Sequence, residues 1–310
     1  NHKKSEFGAS YRIGPRDFYG MSRDNEEIFH LADGTVLHRK EIGDPSHASM
    51  FMHNLNLNYS VQDPEKYLFN ATFRYWNNHQ PHWDYRGILS NQDNPDDYVD
   101  MVDLNSSDNQ VPALDLYYQR NLKNDQTLVF NVVGTYNRTS SHRFYQESRG
   151  EELLTDINNR VSGKKYSLIG EAIYEKKLAN GNSLSGGVWH TQSFSDNEYR
   201  NGHDYDTHMD QSASSIYGEF KGKVRKLDYM LGVELARLYY KQEGTDDSDQ
   251  FYTFNPRFTL QYALPGQSFI RLKGYVGNLS PSLGNLNAVE QVIDSLQLQR
   301  GNPRLESYMS

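Results

Sequence analysis

The chain has 310 residues, with 40 acidic and 32 basic side chains, a net charge of -8 and no cysteine. This acidic balance disfavours nucleic-acid binding, which requires clustered basic residues, and the lack of cysteine excludes a small scaffold held by disulfides. No apolar run approaches the ~18 residues of a membrane-spanning helix. A mean hydropathy of -0.83 still permits a membrane barrel, because barrel strands are half polar and their loops are wholly polar.

Alternation of apolar and polar residues predicts about eleven strands and no amphipathic helix. The clearest strand, at 252–264, places Tyr252, Phe254 and Phe258 on one parity and Thr253, Asn255 and Arg257 on the other. In chain order the predicted strands centre on residues 7–13, 51–61, 67–75, 114–118, 128–136, 166–174, 184–188, 216–220, 229–239, 252–264 and 270–276.

Two residues interrupt this pattern. Arg237 lies on the apolar parity, but close to the predicted loop end of its strand, where a charge costs only ~0–1 kcal/mol. Pro256 lies in mid-strand and cannot donate a hydrogen bond to a ladder, so the sequence predicts a bulge there.

The predicted connections alternate between short and long. The short ones are QDPEK, NLKNDQ, KKLANGNS, KGKVRKLD and LPGQS, and the long ones span about 14–48, 78–111, 138–164, 193–211 and 241–250. Short turns at one end and long polar loops at the other are typical of an outer-membrane barrel. We therefore predict that the short turns face the periplasm and the long loops face the cell exterior.

Tyrosine spacing predicts two aromatic girdles around an apolar band. The pairs Tyr67/Tyr75 and Tyr166/Tyr174 are eight residues apart, and Tyr229/Tyr239 and Tyr252/Tyr262 are ten apart. In tilted strands these spacings span about 20–25 Å, the height of the lipid-facing band of such barrels. The opposite parity is predicted to face the lumen and carries Glu219, Glu234, Arg257, Gln261, Arg271 and Lys273.

The final third of the chain resembles a known family. The stretches YGEFKGKVRKLDYMLGVELARLYY, FNPRFTLQYAL and LQRGNPRLE resemble the barrel of the TonB-dependent receptor-like outer-membrane β-barrel proteins of Bacteroidetes. The resemblance implies an all-β fold, a transmembrane antiparallel up-and-down β-barrel of about 22 strands. On that basis residues 1–310 are expected to form part of one barrel domain, without its plug domain and final strands, in the bacterial outer membrane.

Catalytic motifs are missing from the sequence: it has no G-x-S-x-G, H-E-x-x-H or glycine-rich phosphate loop, so we expect no enzyme activity. Loop residues are the candidates for ligand binding, namely His79, His82, Trp83, Tyr199, His203 and Tyr205. Two acidic clusters offer oxygen ligands suited to calcium, although neither has the spacing of a known calcium loop and solvated acidic loops are the simpler interpretation. The candidate metal ligands are Asp93, Asp96, Asp97, Asp204, Asp206 and Asp210, and no other cofactor is expected.

The resemblance implies a transporter that takes up a nutrient ligand through a plugged barrel. Its implied partners are outer-membrane lipid, the TonB energy-coupling system acting through the plug, and a small-molecule, glycan or peptide ligand, with a surface lipoprotein as a further candidate. The alternative is a secreted all-β module that binds glycans through exposed aromatic residues. Solubility without detergent distinguishes the two, because a barrel aggregates in plain buffer.

Overall fold

One large antiparallel sheet dominates the computed structural model, which describes residues 4–31, 33–91, 94–178, 181–201, 204–242, 248–279, 289–302, 305 and 308–309. Its strands are β1 (Lys4–Met21), β2 (Asn25–His30), β3 (Val36–Asp44), β4 (Ser46–Asp63), β5 (Tyr67–Asn91), β6 (Asn94–Leu122), β7 (Gln126–Arg149), β8 (Glu152–Lys177), β9 (Ser183–Arg200), β10 (Tyr205–Val224), β11 (Leu227–Gln242), β12 (Ser248–Ala263) and β13 (Phe269–Tyr275). Two small sheets pair β14 (Asn278–Leu279) with β17 (Tyr308–Met309), and β15 (Gln291–Val292) with β16 (Leu298–Gln299). Within these ranges no helix has the length and apolarity needed to cross a bilayer.

The strands of the large sheet follow one another up and down, in the order β1-β4-β5 and then consecutively to β13. This path contains eleven strands, as the sequence predicts. The short strands β2 and β3 pair with each other and continue β1 and β4, so residues 4–63 form one long hairpin. Its bend lies at 22–24 and at Pro45, where proline cannot extend the ladder. In the described residues β1 and β13 each pair with a single neighbour, so the wall has two open edges.

The strands are much longer than the sequence predicts. β5 to β8 have 25, 29, 24 and 26 residues, against the ~9–11 that cross a membrane. Most of 78–111, 138–164 and 193–211 is therefore strand, and the prediction of long loops there is wrong. The same holds for much of 14–48 and for the described part of 241–250. The reason is that polar side chains line both faces beyond the apolar band, so no alternation reveals the ladder.

The two ends of the wall differ, as predicted. At one end, the turn end, short connections join the strands at 64–66, 123–125, 178–182, 225–226 and 264–268. Asn124 and Asp125 adopt φ values of 60° and 55° in one of these turns, a conformation that Asn and Asp tolerate better than most residues. At the opposite end, the extended end, the strands continue far beyond the apolar band.

One face of the wall, the apolar face, carries a continuous row of apolar side chains. Register pairs place the members of the row side by side on consecutive strands: Val61, Phe69, Tyr118, Phe130, Ala172, Val188, Ile216, Leu235 and Phe254. Ile216, Leu235 and Phe254 remain 58%, 54% and 56% exposed. An apolar surface of this extent is rare on soluble monomers and marks a membrane or an interface. The side chains of β12 that the sequence predicts to be the apolar set, including Tyr252 and Tyr262, lie on this face.

Tyrosines border the apolar face at two levels. Tyr67, Tyr174, Tyr229 and Tyr262 lie next to the turn end, while Tyr75, Tyr166, Tyr239 and Tyr252 lie further along the same strands, towards the extended end. Tyr166 and Tyr136 pair in the second level, with ring centroids 4.8 Å apart. Both levels agree with the girdle spacing predicted from the sequence.

The two exceptional residues are accommodated differently from the prediction. Arg237 is five residues from the end of β11 and donates to Gln250 Oε1 at 2.8 Å. Pro256 pairs with Val233 without any register shift, so the predicted bulge is wrong. In an antiparallel strand the N–H and C=O groups of one residue point to the same neighbouring strand. The carbonyl oxygen of Pro256 accepts a hydrogen bond from Val276 N–H, just past the end of β13. The missing N–H therefore falls where the ladder with β13 has already stopped.

A small core lies on the opposite face, the polar face, near the extended end. It consists of Leu89, Met101, Tyr145 and Ile157, all buried. Next to it the chain must pack closely, because a Cβ added at Gly87 would lie 2.1 Å from the Ile42 carbonyl oxygen. Glycine at this position lets β3 lie directly on β5.

Candidate functional site

The polar face carries a cluster of charged and aromatic side chains directly behind the apolar row. This wall cluster consists of Glu171, Trp189, Tyr217, Glu219, Glu234 and Arg257. The Trp189 indole donates to Glu234 Oε1 at 3.2 Å, and the Tyr217 hydroxyl donates to Glu171 Oε1 at 3.3 Å. Arg257 Nε lies 3.5 Å from Glu219 Oε2. The cluster presents hydrogen-bonding and charged groups at the level where the other face is apolar.

A glycine opposite an aromatic residue makes this arrangement possible. Tyr217 pairs with Gly187 on β9, and a Cβ on Gly187 would lie 2.6 Å from the Tyr217 hydroxyl oxygen. The ring therefore lies across the glycine and reaches Glu171 on β8. Aromatic rings that cover glycines on neighbouring strands also help to fix strand register.

All six residues predicted to face the lumen share the polar face. Arg271 Nε donates to Gln261 Oε1 at 2.8 Å, and Lys273 lies opposite Thr259 in the register of β12 and β13. Sequence reasoning missed Glu171, Trp189 and Tyr217. The parity opposite the apolar residues of β8, β9 and β10 would have identified them.

Near the extended end a second group, the end cluster, is held by ion pairs between buried carboxylates and partly exposed arginines. It contains Arg23, Arg39, Glu41, Asp103, Arg143 and Glu147. Asp103 accepts from Arg143 Nε at 2.8 Å, and Arg23 lies 2.8 Å from Glu41 Oε1. The Arg23 guanidinium also lies 4.1 Å above the Tyr85 ring, a cation–π contact. Burial raises the pKa of Glu41 above its ordinary value, and Arg23 offsets part of that rise.

A hairpin folds over the end cluster from the far end of the chain. This inner hairpin, residues 289–299, contains β15 and β16. Arg39 Nη2 lies 2.6 Å from both Asp294 Oδ2 and Glu27 Oε2. Burial on its own lowers the pKa of Arg39, but these two carboxylates outweigh it and raise that pKa. Arg143 also donates to the Ile293 carbonyl oxygen at 2.6 Å, so the hairpin is tied to several wall strands.

A pocket of about 620 Å3 lies between the wall and the inner hairpin. Its lining includes Arg23, Trp83, Tyr85, Asp103, Arg143 and Ile293. The Trp83 indole donates to the Tyr85 hydroxyl at 2.9 Å. Aromatic rings together with guanidinium and carboxylate groups can stack against and hydrogen-bond a polar ligand.

The other residues predicted to bind a ligand do not join Trp83. His79 pairs with Asp108 at 3.2 Å on the side of the apolar face, and His82 lies on that same side. Tyr199 is buried at 7% exposure and is opposite Tyr205 in the register of β9 and β10. His203 falls outside the described residues. Strand periodicity and the register shift at Gln80–Trp83 separate Trp83 from the two histidines.

The predicted calcium ligands are distributed among ion pairs. Asp97 lies 2.7 Å from Arg149, and Asp206 lies 2.6 Å from Arg200, which also approaches Asp204 at 3.7 Å. Asp210 lies 3.5 Å from His208 Nε2, Asp96 is exposed, and Asp93 falls outside the described residues. A calcium ion would have to displace the arginines, and calcium binding stays a prediction.

Comparison with known proteins agrees with the fold. A model of the outer membrane protein beta-barrel family matches residues 188–310. The structure is similar to the crystal structure of the ferric citrate transporter FecA in the unliganded form, with a TM-score of 0.52 and 13% sequence identity. The likeness covers 88% of this chain and 44% of that chain, so this chain spans less than half of the transporter's length. No curated protein matches the sequence.

The two different faces of the wall are consistent with these comparisons. A continuous apolar face with tyrosines at both borders suits a bilayer, and long antiparallel strands in up-and-down order satisfy the backbone there. An outer-membrane location also disfavours the alternative of a secreted soluble module. The chain is therefore an all-β wall of a transmembrane antiparallel β-barrel, and its location is the outer membrane.

Proposed function

We propose that this chain forms part of the barrel of a TonB-dependent receptor-like transporter, of the Bacteroidetes type, that takes up a nutrient ligand. The observation that carries the proposal is the wall cluster, with Glu219, Glu234 and Arg257, directly behind the continuous apolar row. In a closed barrel with the apolar face in lipid, these side chains line the lumen. They would be costly if they faced lipid, and they suit contact with water, a plug and a polar solute.

The route of the ligand follows from the two ends of the wall. In this proposal the extended end faces the cell exterior and the turn end faces the periplasm. A small-molecule, glycan or peptide ligand is captured near Trp83, Tyr85 and Arg143, alone or delivered by a surface lipoprotein. A barrel of about 22 strands has a wide lumen that requires a plug, and TonB would act on that plug. The role is transport and not catalysis.

Uptake by cells that produce the full-length protein tests the proposal. Growth medium is compared by mass spectrometry after incubation with these cells and with cells that lack the gene, each with and without a protonophore. We expect at least one polar compound to be depleted only when the protein is present and the inner membrane is energised. Equal depletion with and without the protonophore, or no difference between the strains, would contradict energy-coupled uptake.

A variant that removes one charge from the wall cluster tests whether the cluster lines the transport path. Arg257→Gln removes the positive charge beside Glu219 and keeps a hydrogen-bonding side chain, although a shorter one. The variant should assemble with unchanged heat-modifiable migration and should take up the same compound at a different rate. Unchanged uptake would place the transport path elsewhere.

A further inference from the structure

Two histidines and an aspartate meet on the apolar-face side of the wall, beyond the band of tyrosines. They are His47 on β4, and His82 and Asp84 on β5. Their ligand atoms all lie within 4.8 Å of one another. Among the described residues this is the one group of three or more such side chains with that spacing.

The strands bring the three side chains together for simple geometric reasons. His82 and Asp84 are two residues apart, so they share one face of β5. His82 pairs with Ser49, and His47 is two residues from Ser49, which makes the two histidines diagonal neighbours across the strands. Their ring centroids are 4.8 Å apart. One extra residue in β5, between Gln80 and Trp83, shifts its register against both β4 and β6 and puts His82 and Asp84 on the same side as His47.

Distances within the group suit a tetrahedral metal. His82 Nδ1 lies 3.5 Å from Asp84 Oδ2. Metal–ligand bonds of about 2.0–2.1 Å in tetrahedral geometry place neighbouring ligand atoms roughly 3.3–3.4 Å apart. Small side-chain movements therefore complete the set, and a fourth position stays open to water.

A further carboxylate prepares one of the histidines for binding. His47 Nε2 lies 2.6 Å from Asp17 Oδ1. An ionised carboxylate can only accept hydrogen bonds, so Nε2 of His47 carries the proton. Nδ1 of the same ring therefore keeps its lone pair for a metal. Tyr19 stacks on the His47 ring at 4.5 Å with planes 5° apart and fixes its orientation. Such a carboxylate–histidine arrangement is the usual outer support of a metal ligand.

We propose that His47, His82 and Asp84 bind a divalent transition-metal ion of the zinc class on the outer surface of the barrel. Two imidazole nitrogens and one carboxylate oxygen suit zinc and disfavour calcium or magnesium, which prefer oxygen ligands alone. The ion would tie β4 to β5 where their register is irregular. This inference does not depend on the transport proposal.

Zinc titration of the full-length protein in detergent, after treatment with a chelator, tests the site. Wild-type protein should compete with a chromophoric chelator for Zn2+ at one site that is absent in His82→Ala. Asp17→Asn should weaken that site about 10–100-fold, as expected for an outer support. His82→Cys should restore zinc binding, because a thiolate replaces the imidazole.

His79→Ala is the matched control, since His79 is on the same strand and side, is half exposed and pairs with Asp108. It should bind zinc as the wild type does. Co2+ added in place of Zn2+ reports the ligands by its visible absorption, which should disappear in His47→Ala. Equal zinc affinity of the wild type and His82→Ala, or an equal loss in His79→Ala, would overturn the proposal.

Discussion

Replacing Leu235 with lysine should destabilise the full-length protein in lipid. We expect its free energy of unfolding to fall by about 2–4 kcal/mol, the cost of a lysine at the bilayer midplane. Leu235 lies between Tyr229 and Tyr239 on β11 and belongs to the apolar row. Its side chain is already 54% exposed, so the same change in a soluble protein would cost little. Urea titration in lipid vesicles measures the difference.

Thr253→Lys is the matched control for this substitution. Thr253 is opposite Ala236, the residue after Leu235, and belongs to the polar face. A lysine there lies on the polar face close to the carboxylate of Glu234, so stability should change by less than about 0.5 kcal/mol. Equal losses for the two variants would contradict the assignment of the faces.

Replacing Asp294 with alanine should weaken the attachment of the inner hairpin to the wall. Asp294 is 7% exposed, pairs with Arg39 at 2.6 Å and accepts from Leu296 N at 2.7 Å. Arg39 keeps Glu27 as a partner, so we expect a local loss of about 1–3 kcal/mol and not the full cost of an unpaired buried charge. Hydrogen exchange of 289–299 should accelerate roughly 5- to 150-fold, since each 1.4 kcal/mol is a factor of ten.

Two variants separate this effect from a simple change in charge. Glu290→Ala removes a carboxylate from an exposed position of the same hairpin and should leave exchange unchanged. Asp294→Asn keeps an oxygen acceptor for Leu296 N–H and should fall between the wild type and Asp294→Ala. Exchange in Asp294→Ala as slow as in the wild type would show that the pair with Arg39 does not hold the hairpin.

The lipid-crossing part of the wall could be predicted from the sequence because lipid imposes a strict rule. Every second residue must be apolar there, and the stretch around Phe254 and Leu260 obeys it. The register then confirmed that Leu235, Ile216 and Val188 continue the same row. The same parity rule predicts the charges of the polar face, and Glu219, Glu234 and Arg257 lie there.

The extended end could not be predicted, because no such rule acts there. Between 78 and 111 both faces of the strands carry polar residues, and backbone hydrogen bonds hold the ladder with side-chain pairs such as Arg143–Asp103. Polar sequences of this kind resemble loops. Contacts between distant segments were equally hidden: Arg39 and Asp294 are 255 residues apart in the chain.

The candidate ligand residues show the effect of one local irregularity. His79, His82 and Trp83 are close in sequence and were predicted as one group. The register shift between Gln80 and Trp83 places Trp83 in the pocket of the polar face and leaves the histidines on the other side. An extra residue in a strand reverses which alternate side chains point to each face. The sequence alone does not show where this happens, because it depends on the residues that the strand pairs with.

The accessibility of two neighbouring positions on β12 tests most directly whether the wall separates lipid from a polar lumen. The chain contains no cysteine, so Phe258→Cys and Thr259→Cys each introduce one spin-label site into it. In the full-length protein in lipid vesicles, the label at 258 should collide with oxygen dissolved in lipid, and the label at 259 should collide with a water-soluble nickel complex. Equal access of the nickel complex to both positions would contradict a membrane barrel with the apolar face in lipid.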